Sequence, residues 1–178
     1  DVEKEFDDEE MSIVHFITTE SADRYGDVVR VNGMDDESFA KNPVVLYGHD
    51  YNSFPVGKSL WRKKATRNGM KGVKAKTQFA KTEEGQTVYS LWKDGFLNAA
   101  SIGFLPKEYE PMMKDGENGN SFTGWDFKKW ELLEYSIVPV PANAEALRSV
   151  LQKGIGSDKV RKVLEDELRA DEMKQLPA

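Results

Sequence analysis

From residue 11 to residue 138 the chain alternates short apolar runs, rich in β-branched and aromatic residues, with clusters of turn residues. Such a pattern predicts many short strands and few helices. MSIVHFITT, residues 11–19, reads as a strand. SADRYGD then supplies turn chemistry before a second strand, VVRVNGM. DDESFAKNP predicts a short helical turn or loop closed by Pro43, and VVLYG, 44–48, a compact strand that ends at His49. VGKSLWR and MKGVKAKTQFA are strand candidates, with Arg67, Asn68 and Gly69 as the hairpin turn between them. In EEGQTVYSLWKDGF the positions Val88, Leu91, Trp92 and Phe96 fall at helical spacing. They predict an amphipathic helix of about three turns, with Gly95 helping to end it. NAASIGFLP reads as a strand holding Ser101, and WDFKKWELLEYSIVPVP as a long strand stopped by Pro139 and Pro141.

The polar stretches frame these elements. Residues 1–10 form a charged run and predict a flexible acidic tail. Residues 107–124 are polar and rich in Gly and Asn, the pattern of a mobile loop. Residues 143–153 suggest a short helix, GIGS at 154–157 a break, and the stretch that follows a C-terminal helix over 157–176. Val160, Val163, Leu164 and Leu168 give that helix a narrow apolar stripe for docking on the domain or for an oligomer contact. There is no internal repeat. Together the elements predict an α+β chain with a β-barrel or sandwich core and helices packed around it, the domain running over 11–153.

Composition narrows the function. The 178 residues suit one domain with a proper core. With 39% hydrophobic and 31% charged residues, the chain has the make-up of a soluble globular protein. No stretch approaches the roughly 20 apolar residues of a membrane helix. The net charge is −6 and the basic residues are scattered, so neither nucleic acid nor membrane is an expected partner. The absence of cysteine excludes disulfides, a cysteine nucleophile and thiolate metal sites. Only His15 and His49 exist, without metal-ligand spacing, so no metal and no cofactor is expected. The acidic start lacks the parts of a secretory signal, and with no initiator Met it reads as a processed or trimmed product.

Three residues offer chemistry. Ser101 sits among Ala99, Ala100 and Gly103, small neighbours that let a substrate backbone approach a nucleophile. The ordinary alternative is a strand serine beside a glycine bulge, and local composition by itself favours it. His49 stands at a strand end, where a rigid scaffold holds catalytic groups, and imidazole suits proton transfer near neutrality. Its alternative is a structural histidine capping a turn through Asp50. Glu134 lies between apolar neighbours, where a buried carboxylate is costly unless paired, and pairing with an imidazole would resolve that cost. Its alternative is a solvent-facing position on an alternating strand. In a regular strand Glu131 and Glu134 have opposite parity, so at most one faces such a site.

The ordered set VVLYGHD, FPVGK, LNAASIGF and ELLEYSIVPVPANAEA resembles the prohead proteases of tailed bacteriophages. The four segments span residues 44–146. The resemblance implies a mainly antiparallel β-barrel surrounded by helices, related to the herpesvirus assembly protease. It implies a serine endopeptidase that cuts scaffold and major capsid protein, and itself, inside the immature head in the host cytoplasm. By motif position Ser101 becomes the nucleophile, His49 the base and Glu134 the third member. His15 is the other histidine, and nothing in its strand suggests the role. Oligomerisation of the chain is a further expectation. Two other classes fit the same sequence: a non-catalytic capsid-assembly module on the same fold, and a ligand-binding barrel with a pocket near Trp61, Trp92 and Trp125.

Overall fold

A computed structural model describes residues 6–67, 69–115, 120–144 and 146. The elements run β1 (Phe6–Asp7), β2 (Ser12–Thr19), β3 (Val28–Val29), a 3-10 turn (Val31–Gly33), β4 (Met34–Asp35), α1 (Glu37–Lys41) and β5 (Val44–Tyr47). They continue with β6 (Gly57–Arg67), β7 (Met70–Phe79), α2 (Glu83–Lys93), β8 (Ala99–Lys114) and β9 (Ser121–Val138). The predicted helix over 157–176 lies outside the described residues, as does most of the one over 143–153.

The strands form one nine-stranded sheet in the order β1-β2-β7-β6-β5-β9-β3, with β4 and β8 also on β9. The expected closed, mainly antiparallel barrel is thereby corrected in two respects. The sheet is mixed, because β3, β4 and β5 all run parallel to β9. It is also open: β1 and β3 stand at opposite ends of the pairing path. The physical cause of the short β3 edge lies in VVRVNGM. It forms two two-residue strands around a 3-10 turn rather than one strand. Gly33 presses on the neighbouring backbone so closely that a Cβ there would stand 1.7 Å from the Lys128 carbonyl oxygen. A chain pinned this way presents no long ladder for closure.

β6 and β7 pair antiparallel from Gly57↔Phe79 to Arg67↔Met70, the expected hairpin. In α2 the Thr82 side chain accepts from the Gly85 N–H, Glu83 and Glu84 occupy the first turn and Lys93 the last, as capping and dipole require. Phe96 departs from the predicted apolar face. Gly95, at φ +86, ends the helix first, so Phe96 is 78% exposed and Leu97 enters the core instead. The acidic run is partly structured as well. Phe6 and Asp7 pair with Ile13 and Ser12, Asp8 holds Lys93, and Glu10 holds Lys76.

The largest difference from expectation is the predicted loop over 107–124. Outside residues 116–119 it is mostly paired strand, because β8 and β9 extend into a long two-stranded arm. Along the arm Phe104 packs edge-on to Phe127, and Tyr109 edge-on to Trp125 at 5.3 Å. Cross-strand aromatic pairs of this kind stabilise a ribbon that its polar and glycine content conceals. The core lies on one face of the sheet, around Ile13, Ile17, Trp92, Trp130, Leu132, Tyr135 and Ile137. Burying each such side chain contributes about 1.5–3 kcal/mol.

Candidate active site

β5 delivers His49. Its last residue, Tyr47, opens a turn in which the Tyr47 carbonyl accepts from the Asp50 N–H at 3.2 Å. The two central residues, Gly48 and His49, have φ of +64 and +58, the left-handed pair of a type I′ turn. Gly48 tolerates this freely. His49 is held there by a hydrogen bond from its own N–H to Ser136 Oγ, 3.1 Å away. The turn brings the ring back over β9, where Nδ1 lies 2.7 Å from Glu134 Oε1. A carboxylate only accepts, so Nδ1 carries the hydrogen, and in the neutral ring Nε2 is left with the lone pair. The ring is 36% exposed. Asp50 does not cap His49; its carboxylate takes the Asn52 N–H.

β9 delivers Glu134 through a bulge. Gly103 pairs with Glu134 and the next residue, Phe104, pairs with Leu132, so Leu133 is an extra residue on β9. Bulges re-aim side chains and recur beside active sites. Here Trp130 and Leu132 face the core before the bulge, and Tyr135 and Ile137 face the same core after it. Glu134 and Ser136 therefore share the opposite face. The regular-strand argument that separated Glu131 from Glu134 fails, because the bulge resets the parity between them. Leu133 is 46% exposed and Glu134 only 1%, the reverse of what their polarity suggests. Glu131 is occupied by Lys107.

The Glu134 carboxylate accepts from three side chains. Besides His49, Ser136 Oγ donates to Oε2 at 2.7 Å and the Tyr51 hydroxyl donates to Oε1 at 3.5 Å. Burial, and then the Glu134 charge, push the Tyr51 phenol up. Such donors compensate a carboxylate removed from water.

β8 delivers Ser101. In the antiparallel register Ser101 stands opposite Ser136 and Gly103 opposite Glu134, so all four occupy one face. Directly opposed side chains begin about 5 Å apart at Cβ. Ser101 is buried. Among the described residues no hydrogen bond joins its hydroxyl to His49 or Glu134. The structure thus joins His49 to Glu134 directly, and sets Ser101 one strand away on the same face. Gly103 is dictated by contact: a Cβ there would meet Glu134 Oε1 at 2.2 Å. Sequence reasoning missed Ser136 and Tyr51 as members of this group, and named Gly103 only as a small neighbour of Ser101, not for its contact with Glu134. The signal available was spacing, since Gly103 and Ser136 each lie two residues from a singled-out residue along a strand.

Comparison with known proteins gives this arrangement its setting. The family described as caudovirus prohead serine protease matches residues 6–158. The chain belongs to this family. The match includes all four segments that carried the resemblance. The chain is also 32% identical over 151 residues to a capsid polyprotein of Pseudomonas phage PAJU2, a match covering 80% of this chain and 20% of that protein. It thus spans about a fifth of that relative's length. No solved structure matches significantly. The family's description names serine protease chemistry and the prohead.

The remaining candidate residues lie elsewhere in the chain. His15 is in the core, where Nε2 meets Thr77 Oγ1 at 2.8 Å and Nδ1 donates to the Phe16 carbonyl. Burial pushes its pKa down to about 4. Thr77 in turn meets the Tyr135 hydroxyl, on the β9 face opposite Glu134. The three tryptophans form no common pocket among the described residues. Trp92 is buried against His15, Trp125 packs on Tyr109, and Trp61 lies under the Lys63 ammonium. An open depression of about 410 Å³ is lined instead by charged residues that include Arg30, Lys71 and Lys128.

Proposed function

We propose that this chain is a serine endopeptidase that cuts scaffold and capsid-protein segments, and itself, within the immature phage head in the host cytoplasm. Ser101 is its nucleophile, His49 its general base and Glu134 the group that orients the base. The observation that carries this reading is the 2.7 Å bond from His49 Nδ1, at the end of β5, to Glu134 on β9, the strand that also pairs with the strand of Ser101. It leaves Nε2 as the ring's basic nitrogen, which is what a serine triad requires. A herpesvirus-assemblin-like ancestry of the fold belongs to the same proposal. A relative that contains a matching segment within a capsid polyprotein supports capsid sequence as the substrate class.

In this mechanism Nε2 takes the Ser101 proton as Oγ attacks the scissile carbonyl. The imidazolium, held by Glu134, returns that proton to the leaving amine as the peptide bond breaks. Water, deprotonated by the same nitrogen, then releases the acyl group from Oγ. Labelling the full chain with a fluorophosphonate probe tests the assignment. Probe should attach to Ser101 in the wild type, and Ser101→Ala should lose both labelling and cleavage of capsid or scaffold protein while keeping the wild-type melting temperature. Cleavage by Ser101→Ala at the wild-type rate would remove Ser101 as nucleophile. Failure of the wild type to label or cleave would favour a non-catalytic assembly module.

A further inference from the structure

We propose that Ser136 is a positioning residue of this site, whose single hydroxyl ties the Glu134 carboxylate to the backbone of the His49 turn. The inference rests on the reading of His49 and Glu134 as the base and its orienting group. Ser136 is completely buried, although serine is usually a surface residue. Both capacities of its hydroxyl are used within the site. It donates to Glu134 Oε2 at 2.7 Å and accepts from the His49 N–H at 3.1 Å.

The geometry makes these two bonds complementary. Glu134 has two oxygens, and each has a different task. Oε1 takes the His49 ring, and Oε2 takes Ser136. A carboxylate gripped at both oxygens cannot rotate about its terminal bond, whereas that torsion is otherwise broad. The second bond acts on the other partner. His49 occupies left-handed backbone, uncommon for a residue with a side chain, and such a conformation persists where the surroundings hold it. The Ser136 hydroxyl is the group that holds it. One atom therefore fixes the carboxylate and also the Cα from which the imidazole projects. The Leu133 bulge makes this possible, because it puts positions 134 and 136 together on the face away from the core. Ser136 does not compete with Ser101 as nucleophile. Its hydroxyl hydrogen is committed to Glu134, while the imidazole faces that carboxylate and not the Ser136 oxygen.

The test uses the full chain, with fluorophosphonate labelling measured as a function of probe concentration. A second readout is the proton resonance of the His49 Nδ1–H, assigned by its absence in His49→Gln. Ser136→Ala should lower the maximal labelling rate on the order of tenfold and leave the half-saturating probe concentration unchanged, because orientation is lost and probe binding is not. Its Nδ1–H resonance should broaden and move upfield as the bond to Glu134 loosens. Ile137→Val removes one buried methylene from the next residue of the same strand and touches neither bond, so it should label at the wild-type rate. Wild-type labelling by Ser136→Ala would overturn the positioning role and leave the nucleophile assignment standing. Equal slowing in Ile137→Val would overturn it too, since strand packing would then account for the effect. Persistent labelling of Ser101→Ala would sink the nucleophile assignment instead. In that case an unchanged Nδ1–H resonance in Ser136→Ala decides against the positioning role by itself.

Discussion

Replacing Gly103 with alanine adds one carbon at the most confined point of the site. The new Cβ would lie 2.2 Å from Glu134 Oε1, 2.9 Å from the Tyr51 hydroxyl oxygen and 3.0 Å from Glu134 Cδ. Ordinary contact begins near 3.4 Å, so Oε1 must retreat by about 1.2 Å. That oxygen is the one 2.7 Å from His49 Nδ1. A displacement of this size breaks the bond, or forces the Glu134 side chain off its rotamer at about 0.5–1.5 kcal/mol. A buried acceptor left without its partner costs about 1–3 kcal/mol more. The combined loss of about 3 kcal/mol lowers the melting temperature of a domain this size by roughly 10 °C. A misplacement of about 1 Å in a catalytic constellation also slows chemistry about 100-fold. Thermal unfolding and fluorophosphonate labelling of Gly103→Ala measure the two effects separately. A variant that melts and labels as the wild type does would refute the claim that position 103 abuts the carboxylate.

Other perturbations probe the scaffold. With its pKa lowered to about 4 by burial, His15 contributes stability that is fully present above its ordinary value of 6.5 and is lost as pH falls from there through about 4. The contribution is about 3 kcal/mol, and urea unfolding at a series of pH values with NMR titration of the ring measures it; a ring that titrates at its ordinary value would refute it. Asp126, nearly buried, takes a two-pronged bond from Arg30 at 2.7 and 2.8 Å, and that guanidinium, with Lys128, holds its pKa down to about 2. Its contribution is present above the ordinary value of 3.8 and fades as pH falls toward 2. Arg30→Ala should destabilise the chain by about 2 kcal/mol at neutral pH, discounted for the guanidinium's partial exposure, and an unchanged unfolding midpoint would show the pair to be inert. Deleting Leu133 removes the extra residue and leaves Trp130, Leu132, Tyr135 and Ile137 on alternate positions of a regular strand; circular dichroism should still show cooperative unfolding, and loss of the cooperative melt would refute Leu133 as the inserted residue that resets the parity.

Much of the scaffold was legible from local pattern. The apolar run before His49, the hairpin between Lys58 and Gln78 and the helix from Glu83 each carry their own cue, and the structure contains them where those cues fall. Elements fixed by distant partners were not legible. VVRVNGM has strand composition, yet contact between Gly33 and Lys128 breaks it, a constraint set 95 residues away. The arm reads as a loop because its charged and glycine residues dominate composition, while the pairing of Tyr109 with Phe127 is a property of two strands together. Barrel closure was inferred from strand number, and strand number does not specify which edges meet. At the site, His49 and Glu134 were each recognisable by an oddity: a histidine at a strand end and a carboxylate among apolar neighbours. Ser136 and Gly103 carry no such oddity, since their roles exist only across a strand pair.

The bulge at Leu133 accounts for how one strand serves both the core and the proposed site. A regular strand commits alternate residues to one face, so the residues that follow Trp130 and Leu132 in the core series would be Glu134 and Ser136. That register would bury a carboxylate in the hydrophobic core and expel Tyr135 and Ile137. One inserted residue exchanges the two series after position 132. The apolar set then runs unbroken from Trp130 to Ile137 on the core face, and the polar set collects on the other, beside Ser101 and Gly103. Glu134 and Ser136 stay buried there because their polar atoms are satisfied, Glu134 by Ser136, by the half-buried His49 ring and by the exposed Tyr51. The same mutual satisfaction that makes the cluster tolerable inside the protein also restrains the rotation of each group. Orientation of the His49 ring is thus a consequence of how a buried carboxylate must be accommodated, and no separate device is required to supply it.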